Sequence, residues 1–378
     1  MNVAAAPRLS DKQRINWLRL IRTPNVGPAT FRDLINRFGS AEAAIEMLPE
    51  LALSGGATRV LKVPSAAEVE RELDLAAKAG ASFAAIGEAG YPPMLKRMDH
   101  PPPIVAVKGE PAVFRLPAAA IVGARNASLA GIKMARILAN GLGQSGYAVI
   151  SGLARGIDTA AHQGGLSTGT VAVLAGGLDR PYPPENIGLS EEIAASGGAL
   201  ISEMPFGWEP RAVDFPRRNR LIAGLSLGLV VVEAAQRSGS LISARLAGEM
   251  GRLVFAVPGS PLDPRAGGAN GLLKDGAILV TEIADILREL APLHGASADL
   301  TRQTLDEPPD FMASPTASDS DRARIIEALG PTPVGIDELI RHTGQHPAQV
   351  FMILLELDLA GRLERHSGGA VSLTGADG

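Results

Sequence analysis

Residues 118–177 read AAAIVGARNASLAGIKMARILANGLGQSGYAVISGLARGIDTAAHQGGLSTGTVAVLAGG. Three apolar runs, AAAIVG, YAVIS and TVAVLAGG, contain almost no polar residues, and a helix-length segment separates each from the next. A sheet with one wet face would alternate apolar and polar residues, whereas continuous runs mean strands buried on both faces. Strand followed by helix, repeated, builds a parallel sheet covered on both sides. The same rhythm continues through ALIS, GLVVVEA, RLVFAVPG and AILV as far as residue 291. The expected fold class is therefore α/β, with a doubly wound, mostly parallel, Rossmann-like sheet.

On the N-terminal side, residues 87–117 are proline-rich and hold one strand candidate, Ile104 to Val107. Before them, RINWLRLIRT, ATFRDLINRFGS and AEAAIEML place apolar residues at spacings of three and four, the mark of amphipathic helices. The turn Pro24-Asn25-Val26-Gly27-Pro28-Ala29 leaves backbone N–H groups at the start of the next helix, where the helix dipole favours an anion. NVGPATFRDLINRFGS thus resembles a helix-hairpin-helix, a phosphate-gripping motif that also serves as a packing unit. Beyond the sheet, residues 292–320 are polar, acidic and rich in Pro, Ala and Ser, and read as a flexible linker. Three helices and a hairpin turning at Gly368-Gly369 then suggest a winged helix. The expected domains are a helix-hairpin-helix (SAM-like) domain at 1–86, an extended Rossmann-like domain at 87–291, the linker at 292–320 and the winged helix at 321–378.

Composition narrows the chemistry. No cysteine is present, which excludes disulfides, thiolate nucleophiles and cysteine-held zinc, and the six histidines are scattered without ligand spacing. No metal, cofactor or catalytic residue is assigned. No apolar run reaches the roughly 18 to 20 residues of a membrane span, and the N-terminus lacks the apolar core of a secretory signal, so a cytoplasmic protein is expected. A net charge of −4 argues against a globally basic surface, so any nucleic-acid site must be focal. Of the 36 basic residues only seven are lysines; the other 29 are arginines, whose planar fork suits phosphate pairing and base stacking.

Ligands bind a doubly wound sheet at the carboxyl ends of its strands. The first loop there, Gly123-Ala124-Arg125-Asn126-Ala127-Ser128, lacks both the dinucleotide fingerprint and the nucleotide phosphate loop. It offers instead a glycine for close approach, a helix start and the projecting Arg125. In the second, Ser151-Gly152-Leu153-Ala154-Arg155-Gly156-Ile157-Asp158, Asp158 is read as a helix cap; with His162 it makes a conceivable acid/base pair, for which capping and packing are the better account. The densest basic cluster follows: between Glu209 and Arg220, Arg211, Arg217, Arg218 and Arg220 outnumber two acids, with Phe215 and Asn219 among them. Cations tracking phosphates beside a ring for stacking are what a single-strand groove requires, although one arginine of 217–220 is expected to staple the sheet edge. A fourth loop supplies Ser238, Gly239 and Ser240 as hydroxyl and amide donors.

VGAR at 122–125, SGLARGIDTAAH at 151–162, TVAVLAGGLDRPYPPEN at 170–186, SEMP at 202–205, FPRRNRLIAGLS at 215–226, VVEAAQRSGSL at 231–241 and VFAVPG at 254–259 resemble, in order and spacing, the DNA-processing protein A (DprA/Smf) family. The resemblance covers residues 91–291. It implies a non-catalytic protein of natural transformation that binds incoming single-stranded DNA, forms a homodimer and loads the RecA recombinase. It further implies that Arg125, Arg217, Asn219 and Arg220 line the DNA site. The family's basic residue in the Y-P-x-x-N segment is Pro184 here. Two other functions share parts of this pattern. A Rossmann-like nucleotide phosphoribohydrolase of the LOG type would need a glycine pair and a glutamate where Arg237-Ser238-Gly239-Ser240 stands. A winged-helix transcription regulator would need cations on its recognition helix, but PAQVFMILLELDLAG has none; it is expected to expose Phe351, Leu355, Glu356 and Asp358, which suits a protein-contact or autoregulatory role.

Overall fold

The computed structural model describes residues 8–298 and 317–374. These fall into two compact units. One runs from Arg71 to the end of the α/β region; the other joins residues 9–70 to the C-terminal module.

The helical segments near the N-terminus are α1 (Asp11–Ile21), α2 (Pro28–Phe38), α3 (Ala41–Ser54) and α4 (Ala66–Lys78). The α/β unit continues with β1 (Ala81–Ala85), β2 (Ile104–Gly109), β3 (Ala118–Val122), α5 (Leu129–Gln144), β4 (Ala148–Ser151), α6 (Ile157–Gly165), β5 (Thr170–Val173), α7 (Ile187–Ala195) and β6 (Ala199–Ser202). Next come α8 (Asp214–Gly224), β7 (Gly228–Val231), α9 (Gly239–Glu249), β8 (Leu253–Ala256), α10 (Gly267–Lys274), β9 (Ile278–Leu279) and α11 (Ile283–Ala298). Among the described residues the strands form one sheet in the order β1-β2-β6-β5-β4-β3-β7-β8-β9. It is parallel from β6 to β9, and β1 and β2 join it antiparallel.

Burial on both faces explains the unbroken apolar runs. Along β3, Ala120 and Val122 pack with Leu221 of α8 and Ala247 of α9, while Ala119 and Ile121 pack with Leu138 of α5, Ala160 of α6 and Ile286 of α11. The chain leaves β3 toward β4 on one side and later returns to β7 on the other. The exits of β3, β4 and β7 therefore meet at the crevice where such sheets bind ligands.

Two boundaries read from sequence are corrected. Strand β1 lies inside the stretch assigned to the helical domain, yet it pairs with β2 along its whole length, Ala81 opposite Lys108. Its sequence, ASFAA, is too short and too rich in alanine to signal a strand. The linker begins later than residue 292, because α11 continues through Pro292 to Ala298. Much of the remaining linker lies outside the described residues.

The C-terminal module contains α12 (Asp319–Ala328), β10 (Val334–Gly335), α13 (Ile336–Thr343), α14 (Pro347–Leu359), β11 (Leu363–Arg365) and β12 (Ala370–Leu373). Three helices and a small sheet in the order β10-β12-β11 give the winged-helix topology, with Gly368 and Gly369 turning the hairpin at positive φ. Helix α14 is apolar on two faces. Val350, Ile353, Leu354 and Leu357 fill the module's own core. Leu355 and Leu359 belong instead to the core formed by Leu20, Phe31, Leu34 and Leu48 of α1 to α3. Leu355 and Glu356 are therefore buried rather than exposed, and of the four residues named above only Phe351 stands in solvent.

Candidate nucleic-acid interface

The loops at the carboxyl edge of the sheet are knitted to one another before any ligand arrives. Leaving β3, Gly123 lies so close to Ile157 and to the Glu233 carbonyl that a Cβ would clash with both, and Ile157 N donates to Ala124 O (3.2 Å). Gly156 holds φ +74 with the carbonyls of Ala124 and Arg125 against it, a conformation and a closeness that require glycine. Gly123 and Ala124 thus serve loop packing. The start of α5 is also occupied. Ser128 N (2.9 Å) and Oγ (2.5 Å) both donate to the Glu233 carboxylate, which fits because Gly131 has no side chain. An anion from β7's exit already satisfies this helix end. The expected phosphate contact at the backbone therefore passes to the Arg125 side chain, which is exposed.

In the second loop Ser151 and Gly152, expected in the site, are buried and bonded within the protein. Ser151 is fully buried and donates to Ile121 O (2.7 Å), clamping β4 to β3. Gly152 N donates to Asp158 (3.1 Å), and Gly152 O accepts from Arg218 Nη1 (2.6 Å). Asp158 does not cap α6; its carboxylate also takes the Ala154 N–H (3.3 Å), binding the loop that precedes the helix. Burial raises the Asp158 pKa, and the nearby Arg218 opposes that rise. His162 accepts from Leu153 N at Nε2 (3.3 Å), while Nδ1 meets the Thr170 hydroxyl (2.8 Å), whose own proton goes to Val149 O (2.8 Å). That chain of donors assigns the proton to Nδ1 of a neutral ring. Burial, helped by Arg218, pushes the His162 pKa down to about 3. The pair is buried and spent on the loop, as the packing account expected, but the expected cap is absent: Gly156 stands at the N-cap and Asp158 binds the loop instead. Asn186, which sequence reading passed over, completes the cradle by donating to Leu153 O (2.8 Å) and Thr159 Oγ1 (2.9 Å).

Helix α8 sorts its arginines by direction. Arg218 points inward, is buried, and bonds the carbonyls of Gly152 and Val173 at the ends of two strands. Burial lowers its pKa to about 10, against the pull of Asp158. Arg217 and Arg220 share Glu203, at the exit of β6, but unequally: Arg217 is 49% exposed at 3.3 Å, and Arg220 only 18% exposed, also donating to His100 O (3.3 Å). More of the cluster is engaged within the protein than the sequence suggested, because consecutive helical residues face different sides. Asn219 reaches Gly239 O (3.4 Å), bringing α8 to the fourth loop. There Ser238 caps α9 and bonds Ser240, which is buried; Gly239 alone of the three is fully open.

What remains at the surface is a short track of rings and guanidinium groups. The Arg125 guanidinium sits over the Phe215 ring, 5.3 Å from its centroid. Tyr182, 46% exposed, meets the same ring edge to face at 5.6 Å. Nearby, Arg211 stacks over Trp208 at 4.4 Å, and buried Asp214 binds both Trp208 Nε1 (2.9 Å) and Arg211 N (2.9 Å). Gly176 and Gly177 allow that loop to close, since a Cβ on either would strike Trp208 or Pro205 backbone. Tyr182 and Trp208 were not singled out from sequence; an exposed-loop tyrosine between prolines and one of only two tryptophans were the available signals. Among the described residues, no cluster of His, Asp and Glu is arranged to hold a metal ion.

The sequence matches the family model described as DNA recombination-mediator protein A over residues 82–291. Residues 11–75 match a DprA-like N-terminal HHH domain, and residues 307–369 match the DprA winged helix domain. Protein Smf of Escherichia coli is 39% identical over 288 residues, covering 75% of each chain. The X-ray structure of DNA processing protein A from Streptococcus pneumoniae aligns with a TM-score of 0.61 at 29% identity, covering 75% of this chain and 99% of that one. A Helicobacter pylori DNA processing protein A, from a study of its single-stranded DNA binding mode, aligns at 0.52 with 27% identity, covering 57% and 97%.

Proposed function

The chain belongs to the DNA recombination-mediator protein A (DprA/Smf) family, and from that premise we propose that its sheet edge holds single-stranded DNA through phosphates and stacked bases, without cutting it. The observation that carries this reading is the track in which exposed Arg125 lies over Phe215 with Tyr182 against the same ring. Guanidinium groups at aromatic faces supply what sequence-tolerant single-strand binding needs, a cation for the backbone and π surface for bases. The track sets its guanidinium groups over ring faces, so affinity is expected mainly from phosphates and stacking. The buried neutral His162 and the carboxylate of Asp158 are both spent on loop amides, which supports a structural role for that pair.

In this reading the protein binds and protects incoming single strands in natural transformation, works as a homodimer in the cytoplasm and helps load RecA recombinase. Among the described residues no helix is long and apolar enough to cross a membrane. The test is titration of a fluorescent single strand and of its duplex across a salt series. Single-strand affinity should fall with salt at about −0.7 in log–log slope per phosphate neutralised. Arg125→Ala should lower affinity about tenfold, or ~1.4 kcal/mol, and flatten the slope by about one contact. Unchanged affinity and slope would take Arg125 out of the site.

A further inference from the structure

Two nucleic-acid motifs play no part in the reading above, and within their shared compact unit each meets the other. At the turn and first residues of α2, the end with which a helical hairpin grips phosphate, Thr30 donates to Asp358 Oδ2 (2.7 Å) and Asn25 donates to Leu359 O (3.0 Å). Arg365 of the wing then ties Asp358 (2.8 Å) to Asp33 on α2 (3.0 Å). Asp358 and Leu359 belong to α14, the helix that enters the groove when such modules read DNA. Leu355 and Leu359 are buried against α1 to α3.

The charges are complementary in a way that neither motif explains alone. Residues 11–38 carry Lys12, Arg14, Arg19, Arg22, Arg32 and Arg37 against only Asp11 and Asp33. Helix α14 has no Arg or Lys, and its charges are Glu356 and Asp358. Burial lowers the Arg37 pKa, and Glu356 counters that effect, which places the carboxylate's field on the hairpin. An acidic helix thus lies on a basic hairpin, with a carboxylate already seated at the start of α2.

We infer that α14 is a built-in occupant of the hairpin's nucleic-acid face, its Asp358 carboxylate standing in for a duplex phosphate while Glu356 is held by Arg322 within the winged helix, so that the hairpin takes duplex DNA only when the winged helix lifts away. One residue allows this to be tested cleanly. Gly55, just past α3, has ordinary helical angles of φ −74° and ψ −5°, so its backbone does not require glycine. A Cβ there would overlap the Glu356 carbonyl, and Arg362 Nη1 donates to Gly55 O (3.1 Å) beside it. Alanine fits the conformation but not the gap, and so acts as a wedge between α3 and α14.

The experiment uses the full chain carrying Gly55→Ala and, separately, the pair Thr30→Val and Asp358→Asn. Each is followed by amide exchange and by titration with a 20-base-pair duplex and with a single strand. The expected result is faster exchange in α2 and α14 together, and at least a tenfold gain in duplex affinity with a steeper salt slope. Single-strand affinity that depends on Arg125 should stay unchanged, so this outcome is read independently of the proposed function. Faster exchange without gained duplex affinity would make α14 a structural prop and overturn the inference. Unchanged exchange in both variants would also overturn it, because the contact would then not depend on the groups named. Should Gly55→Ala unfold the unit, the neutral pair decides alone.

Discussion

At the residue scale, the site depends on which groups of each type still face water. Tyr182 and Phe215 both present ring surface at the crevice, and Phe215 already has Arg125 on one face. Tyr182 is the more exposed ring of the proposed track, so Tyr182→Ala should weaken single-strand binding by about 1 to 3 kcal/mol with an unaltered salt slope. A slope change would mean the tyrosine hydroxyl contacts phosphate instead. His162 gives a pH signature. Its folded pKa of about 3 lies below the ordinary 6.5, so between those values the unfolded chain binds the extra proton. The stability from keeping His162 neutral is fully present above pH 6.5 and drains away as pH falls toward 3. Asp158, raised by burial, contributes the opposite slope above its ordinary 3.8, so the clean measure is a comparison with His162→Gln. Wild type should lose about 2 to 4 kcal/mol more than the variant between pH 7 and pH 4 in urea unfolding of the α/β unit. Equal losses would mean that the ring titrates normally.

At the element scale, α8 shows why a cluster in sequence is not a cluster in space. Three arginines within four residues project toward the interior, the Glu203 carboxylate and solvent in different proportions. Arg218→Ala should be costly, by about 2 to 4 kcal/mol, because the carbonyls of Gly152 and Val173 would lose a buried charged donor. Arg217→Ala should shift stability by less than about 1 kcal/mol while reducing single-strand affinity. Denaturant unfolding and DNA titration of the two variants would separate these roles; equal stability losses would refute the division. The same contrast governs α5, whose start looked open in sequence and is filled by Glu233, 105 residues away in the chain.

At the scale of the whole molecule, the core shared by α1 to α3 and α14 and the proposed DNA track belong to different units. Leu355 is 2% exposed and contributes to the core of α1 to α3 across 300 residues of sequence. Leu355→Ala should destabilise that unit by about 2 to 5 kcal/mol. Amide exchange should then quicken in α1 to α3 and α14, with the sheet and single-strand affinity unaffected. Quickened exchange confined to the winged helix would show that the two ends of the chain do not fold as one.

The sequence by itself determined the doubly wound sheet, because strands buried on both faces must be apolar without interruption, and it located the loops and the winged helix. Arg125 and Phe215 were also legible, one as a cation on a strand-to-helix loop and the other as a ring beside it. Strand β1 was not, since ASFAA becomes a strand only through its ladder with β2. Which donors were already spent was decided by tertiary structure alone. Ser151, Arg218 and the start of α5 are satisfied by partners remote in sequence. Local pattern reports what a residue can donate, but only the packed fold reports which acceptor reaches it first, because a buried polar group must be paired wherever its partner lies in the chain.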